Sequence, residues 1–229
     1  MEQSDLYRAV AIAAVVAFCC TLVMGFGPKP PKGKPSLQPT HPTGPASDFM
    51  YASEKHADKA LIFFTADSLF VLSYTIAFLG MFAVAATQSR ALATFGLGAG
   101  LIAGALDAIE NAFMLTYALL SKAGAPLPEP ALPQIYILAN LKWMAAFAAF
   151  YAFGLVWPRD GRKRSVVRWR GWLITVVMLA FPIVGLLALL FPILVEVRGI
   201  FLLLGMPIFA WDFFARSRSE TNQLAHLPE

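Results

Sequence analysis

Apolar residues along this chain come in long blocks, and the polar positions inside them are few enough to read one by one. A helix needs about 20 mostly apolar residues to cross a bilayer. The first such block runs from Leu6 to Phe26. The second, Ala60 to Ala86, is interrupted by Asp67. The third, Ala91 to Leu120, carries Asp107, Glu110 and Asn111, and the fourth, Pro133 to Trp157, contains Asn140 and Lys142. From Gly171 to Phe214 the chain is almost unbroken apolar sequence. That is about two bilayer thicknesses, so it reads as a helical hairpin. Pro192 is the expected turn, because proline pushes the residue before it out of helical geometry. Pro182 and Pro207 are expected to kink the two arms.

The pattern predicts an all-α, polytopic membrane helix bundle of about six transmembrane helices. It divides into an N-terminal anchor helix over 1–26, a proline-rich extracytoplasmic loop over 27–59, a five-helix core over 60–214 and a cytoplasmic tail over 215–229. Composition agrees. The 229 residues are 58% apolar and 14% charged, with a mean hydropathy of +0.64, whereas a soluble domain carries about 25% charged residues. A water-soluble globule and a disordered chain are both excluded. The net charge of +4 is small, and most basic residues serve better as topology signals than as nucleic-acid contacts. Adjacent Cys19 and Cys20 form no disulfide framework and read as small apolar filler.

The first block does not read as a cleaved leader. Its leading segment sets Glu2 and Asp5 against Arg8, which is no positive n-region. No small-x-small site follows, and the bulky Phe18 before Cys19 argues against lipoprotein cleavage. A retained anchor is expected.

Cytoplasmic loops are enriched in lysine and arginine close to the membrane. The densest short loop holds Arg159, Arg162, Lys163, Arg164, Arg168 and Arg170. Placing it inside puts both termini in the cytoplasm. These six residues are then expected to meet anionic lipid headgroups, at about 1 kcal/mol per basic residue near the surface. Trp157, Trp169, Trp172 and Trp211 would form an inner interfacial belt. The alanine- and arginine-rich composition points to a bacterial cytoplasmic membrane.

The first half of the outer loop is proline-rich and reads as an extended spacer, a possible contact surface for another membrane protein. Its second half reads as a short amphipathic helix leading into the second span. His41, His56 and Asp58 match no closed ligand spacing and read as solvated surface, so no metal or cofactor is expected.

The polar residues inside the spans carry the functional signal. An ionisable side chain at the centre of an inserted helix costs roughly 2.5–3.5 kcal/mol. Asp107, Glu110 and Asn111 stand at i, i+3 and i+4 and share one helix face. Toward the cytoplasm that face continues as Gly104, Gly100 and Gly96, small residues that admit a neighbouring helix. Toward the outside it reaches Met114 and Tyr117. The third span is therefore expected to be central. At about 1.5 Å per residue, Asp67 lies about 10 Å, Lys142 about 13 Å and Glu110 about 15 Å below the outer membrane boundary, which predicts one cluster in the outer half of the bilayer. Lys142 is the natural partner of the carboxylates. Asn140 and Lys142 are two apart, so they point in different directions. Tyr74 shares a face with Asp67. Glu196 and Arg198, near the hairpin tip, are supporting candidates. Asp212 reads as a helix-end residue in the headgroup region.

Intramembrane carboxylates serve as proton relays or cation sites. The expected role of Asp67, Asp107, Glu110, Asn111, Asn140 and Lys142 is thus a ligand or proton site in small-solute or proton-coupled transport or binding. Two alternatives stand beside it. One is an outer-leaflet lipid-modifying enzyme using carboxylate acid–base chemistry. The other is a non-catalytic membrane subunit or assembly factor. No histidine lies within a span, and no zinc-protease, serine-hydrolase or phosphate-loop motif is present. The catalytic residues of an enzyme reading therefore remain unassigned.

Overall fold

A computed structural model describes residues 3–26, 54–126, 131–158, 165–188, 190–191 and 194–224. They form six helices: α1 (Gln3–Phe26), α2 (Glu54–Ala85), α3 (Arg90–Lys122), α4 (Ala131–Val156), α5 (Ser165–Leu187) and α6 (Leu194–Leu224). Each contains a stretch long and apolar enough to cross a membrane. The proline-rich segment lies outside the described residues, as do Arg159, Arg162, Lys163, Arg164 and Pro192.

Several helices outrun their apolar blocks. α2 begins at Glu54, so the expected separate amphipathic segment is, from that point, the first turns of α2 itself. α6 continues past Phe214 to Leu224, through most of the expected tail. Hydropathy marks where a helix would leave lipid, whereas backbone hydrogen bonding continues until a capping signal stops it. α3 shows such signals at both ends. The Ser89 hydroxyl accepts from the Leu92 amide at 3.5 Å. At the other end the amides of Gly124 and Ala125 donate to the carbonyls of Ser121 and Leu120, with Gly124 at φ 67°. This is a Schellman closure, which favours glycine because it carries no Cβ. Pro182 and Pro207 lie within α5 and α6.

Each helix packs against its neighbours in sequence, and α1 against α6 closes the ring. The first helix is thus part of the core rather than an appended anchor. Tyr7, Val10, Ala11 and Ala14 share the main apolar cluster with residues of all the other helices. The middle of the ring is aromatic. Phe78 of α2, Phe150 of α4 and Phe181 of α5 stand edge to face with centroids 5.6 and 5.0 Å apart, and Phe209 of α6 joins at 6.4 Å.

The third helix is not central. Its packing partners are α2 and α4, while Leu92, Phe95, Leu101, Ile102, Ile109 and Leu119 face outward. The predicted stripe is nonetheless its buried face, from Gly96 through Gly100, Gly104, Asp107, Glu110, Asn111 and Met114 to Tyr117. One such stripe needs only two neighbours to cover it. Gly100 receives the Phe78 ring and Gly104 the Thr75 hydroxyl; a Cβ at either position would come within 2.6 Å of these groups.

The aromatic belt also differs from expectation. Trp169, Trp172 and Trp211 are exposed, but Trp157 is 2% exposed, packed edge-on against Phe209 and Phe213. Arg170 turns inward, with its guanidinium 5.2 Å from the Trp211 ring and 3.9 Å from the Asp212 carboxylate. Asp212 is buried and also holds Arg216 at 2.7 Å. Its two arginine partners compensate a charge that an apolar site would not accept alone.

Candidate functional site

The densest polar contacts inside the bundle surround Lys142. Its Nζ lies 2.6 Å from Asp107 Oδ1 and 2.7 Å from Glu110 Oε2. The Tyr74 hydroxyl donates to the other oxygen, Asp107 Oδ2, at 3.0 Å. Asp107, Glu110 and Lys142 are all buried. Three helices therefore converge: α2 through Tyr74, α3 through Asp107 and Glu110, and α4 through Lys142. The glycines of α3 allow this convergence, since they seat α2 against α3 just beside the carboxylates. Burying such a pair adds little net stability, but removing one partner leaves an uncompensated charge at about 3–5 kcal/mol.

The cluster is not electrically closed. One lysine faces two carboxylates, so with all three ionised it carries one excess negative charge. Asp67 adds a further carboxylate. It is half-buried on α2 and lies toward Asn111, Asp107, Lys142 and Glu110. Asp107 has partners on both oxygens, but Glu110 Oε1 has none. Asn111, 2% exposed, turns its amide toward the Asp67 carboxylate. Buried polar atoms are ordinarily paired. The unpaired oxygen of Glu110 is thus an exception inside an acidic cluster.

The other expected residues fall outside this group. Asn140 donates to the Tyr136 carbonyl of its own helix at 2.8 Å, because its position is two residues, not a turn, from Lys142. The side chain of Glu196 lies outside the described residues. Arg198 reaches α4 instead, its guanidinium 3.8 Å from the centre of the Trp143 ring. Among the described residues, no three His, Cys, Asp or Glu side chains lie close enough to hold a metal ion.

A cavity of about 50 Å³ adjoins the cluster. Asp107, Lys142 and Tyr74 form its polar end, and Phe78, Trp143 and Phe150 are among its apolar walls. Apolar layers lie on both sides along the bundle. Toward the Lys122 end, Phe64, Met114, Tyr117 and Ile135 pack together. Toward the Arg90 end, Phe78 and Phe153 stack at 6.1 Å over the glycine stripe. Sequence reading did not find the cavity or Trp143's part in it, since a lone tryptophan in an apolar span carries no signal of its own.

The polar hydroxyls nearby are already committed. Ser68, Ser73 and Thr75 each donate to the carbonyl four residues back, at 2.8 Å. This back-bonding is the usual way a hydroxyl is accommodated within a helix. No family model, no curated protein and no solved structure matches this chain.

Proposed function

We propose that the protein is a proton-coupled carrier or binding protein for a small solute in a cell membrane, with both termini on the cytoplasmic side. The observation that carries this reading is the imbalance at Lys142. Two buried carboxylates share one cation, one oxygen of Glu110 remains without a partner, and a third carboxylate, Asp67, lies beside them. Protonation of the pair removes the excess charge and weakens its hold on Lys142, which couples the cluster's geometry to proton occupancy. Asp107 and Lys142 stand near the middle of α3 and α4, with helix on either side to bury them. The apolar layers on either side supply the seal that coupling needs.

The lipid-modifying alternative draws less support. Lys142 and Asp107 are held by one another and by Tyr74, and the neighbouring hydroxyls bond within their own helix. Among the described residues, the hydroxyls nearest the cluster are thus already hydrogen-bonded.

The test uses protein reconstituted in liposomes with a trapped pH dye and a panel of small solutes under an imposed pH gradient. Solute-dependent proton influx is expected in wild type and is lost in Glu110→Gln and in Asp107→Asn/Glu110→Gln. Equal influx in wild type and the double variant would overturn the reading.

A further inference from the structure

Arg198 is a cation that the acidic cluster leaves unused. Its guanidinium is stacked on Trp143 at 3.8 Å, and no carboxylate among the described side chains pairs with it. Arg198, Leu202 and Met206 fall at i, i+4 and i+8, on one face of α6. The last two line the cavity, and so does Trp143. Lys142 Nζ lies 6.0 Å from the same ring. One indole thus stands between a cation held by two carboxylates and a cation that no described carboxylate holds.

A guanidinium stacked on a ring face gains from the ring's quadrupole and leaves its N–H edge available. That planar edge matches a carboxylate, which it can grip through two parallel hydrogen bonds. Beside it the cavity wall is aromatic and aliphatic, with Phe150, Phe181 and Leu202. The room is about 50 Å³, and a single water needs roughly 10–15 Å³. An apolar cavity that takes benzene measures about 150 Å³, so this space suits a short aliphatic chain, not a ring or a lipid.

We propose that the solute is a small apolar monocarboxylate, its carboxylate on Arg198 and its apolar part against Trp143 in the cavity, crossing together with one proton held by the acidic cluster. The inference rests on the proton-coupled reading and names its substrate class. The groups that face the proton's site are Asp67 and Tyr74 from α2, Asp107 and Glu110 from α3, and Lys142 from α4. One anion and one proton cross with no net charge, so the pH gradient drives movement and the membrane potential does not. No bond is made or broken beyond the proton's transfer.

The test has a binding arm and a transport arm. In detergent, propionate and butyrate are expected to raise the melting temperature of wild type, whereas propionamide and propylammonium leave it unchanged. Arg198→Gln is expected to weaken butyrate binding at least tenfold, and Arg198→Lys to retain part of it. In proteoliposomes, butyrate uptake above that of empty vesicles follows an imposed pH gradient, is insensitive to a potassium–valinomycin potential, and is inhibited by propanesulfonate. If Arg198→Gln fails to fold, Trp143→Leu serves in its place with the same expected loss. Stabilisation by propylammonium rather than butyrate, or butyrate binding unchanged in both variants, overturns this inference. Solute-dependent proton influx that needs Glu110 but not Arg198 also overturns it while leaving the proton-coupled reading intact. Influx indifferent to Glu110 overturns both.

Discussion

Lys142 of α4 and Asp107 of α3 meet at 2.6 Å although 35 positions separate them, and each is at most 10% exposed as a side chain. The contact fixes the register of α4 on α3 at the level where Glu110 also reaches the ammonium. Removing the ammonium alone should therefore be costly. Lys142→Met leaves two carboxylates in an apolar site and is expected to lose about 3–5 kcal/mol. The triple variant with Asp107→Asn and Glu110→Gln should recover most of that loss. Thermal unfolding in detergent compares them; equal melting temperatures for Lys142→Met and wild type would refute the account.

Tyr74→Phe deletes one atom from the cluster. The ring keeps its edge contacts with Phe70 and Phe78 at 5.2 and 5.7 Å, while Asp107 Oδ2 loses its donor. A hydrogen bond to a charged group contributes about 1.5–3 kcal/mol. A loss of that order is expected, measured by denaturant titration in micelles. A change well under 0.5 kcal/mol would mean that another donor already serves this oxygen.

The glycines of α3 differ in what surrounds them, so the same substitution should give opposite results. A Cβ on Gly100 would meet the Phe78 ring at 2.6 Å, whereas one on Gly98 has nothing within 4 Å. Gly100→Ala should cost about 1–3 kcal/mol through overpacking. Gly98→Ala should be neutral or gain up to about 1 kcal/mol from helix propensity. Matching shifts in melting temperature for the two variants would remove close helix approach as the reason for the stripe.

Two acidic residues at opposite ends of the bundle offer a further contrast. Asp58 pairs with Lys122 at 2.7 Å, with side chains 72% and 55% exposed. Asp212 is 4% exposed as a side chain and holds Arg170 and Arg216. Asp58→Asn should change stability by less than about 1 kcal/mol, and salt should erase the difference. Asp212→Asn leaves two arginines facing each other and should cost about 3–5 kcal/mol. Reversed ordering of the two in chemical unfolding would contradict the assignment of Asp212 to the core.

Much of this protein was legible from its one-dimensional pattern. Apolar blocks of bilayer length dictate helices, since backbone groups in lipid must bond within their own segment. Spacing at i, i+3 and i+4 put Asp107, Glu110 and Asn111 on one face, and the scarcity of cations within the spans singled out Lys142. Helix ends were less legible at Glu54 and Leu224, because polarity changes before hydrogen bonding stops.

Other features needed three dimensions. Which neighbours cover a stripe is not written in the stripe, so α3 reads as central yet packs mainly along α2 and α4. Asn140 bonds to its own helix, Trp157 and Asp212 are buried, and Arg198 lies on Trp143. Each outcome depends on side chains from helices distant in sequence. Periodicity determines the direction a residue points from its own helix; what stands opposite is decided only when the six helices close their ring.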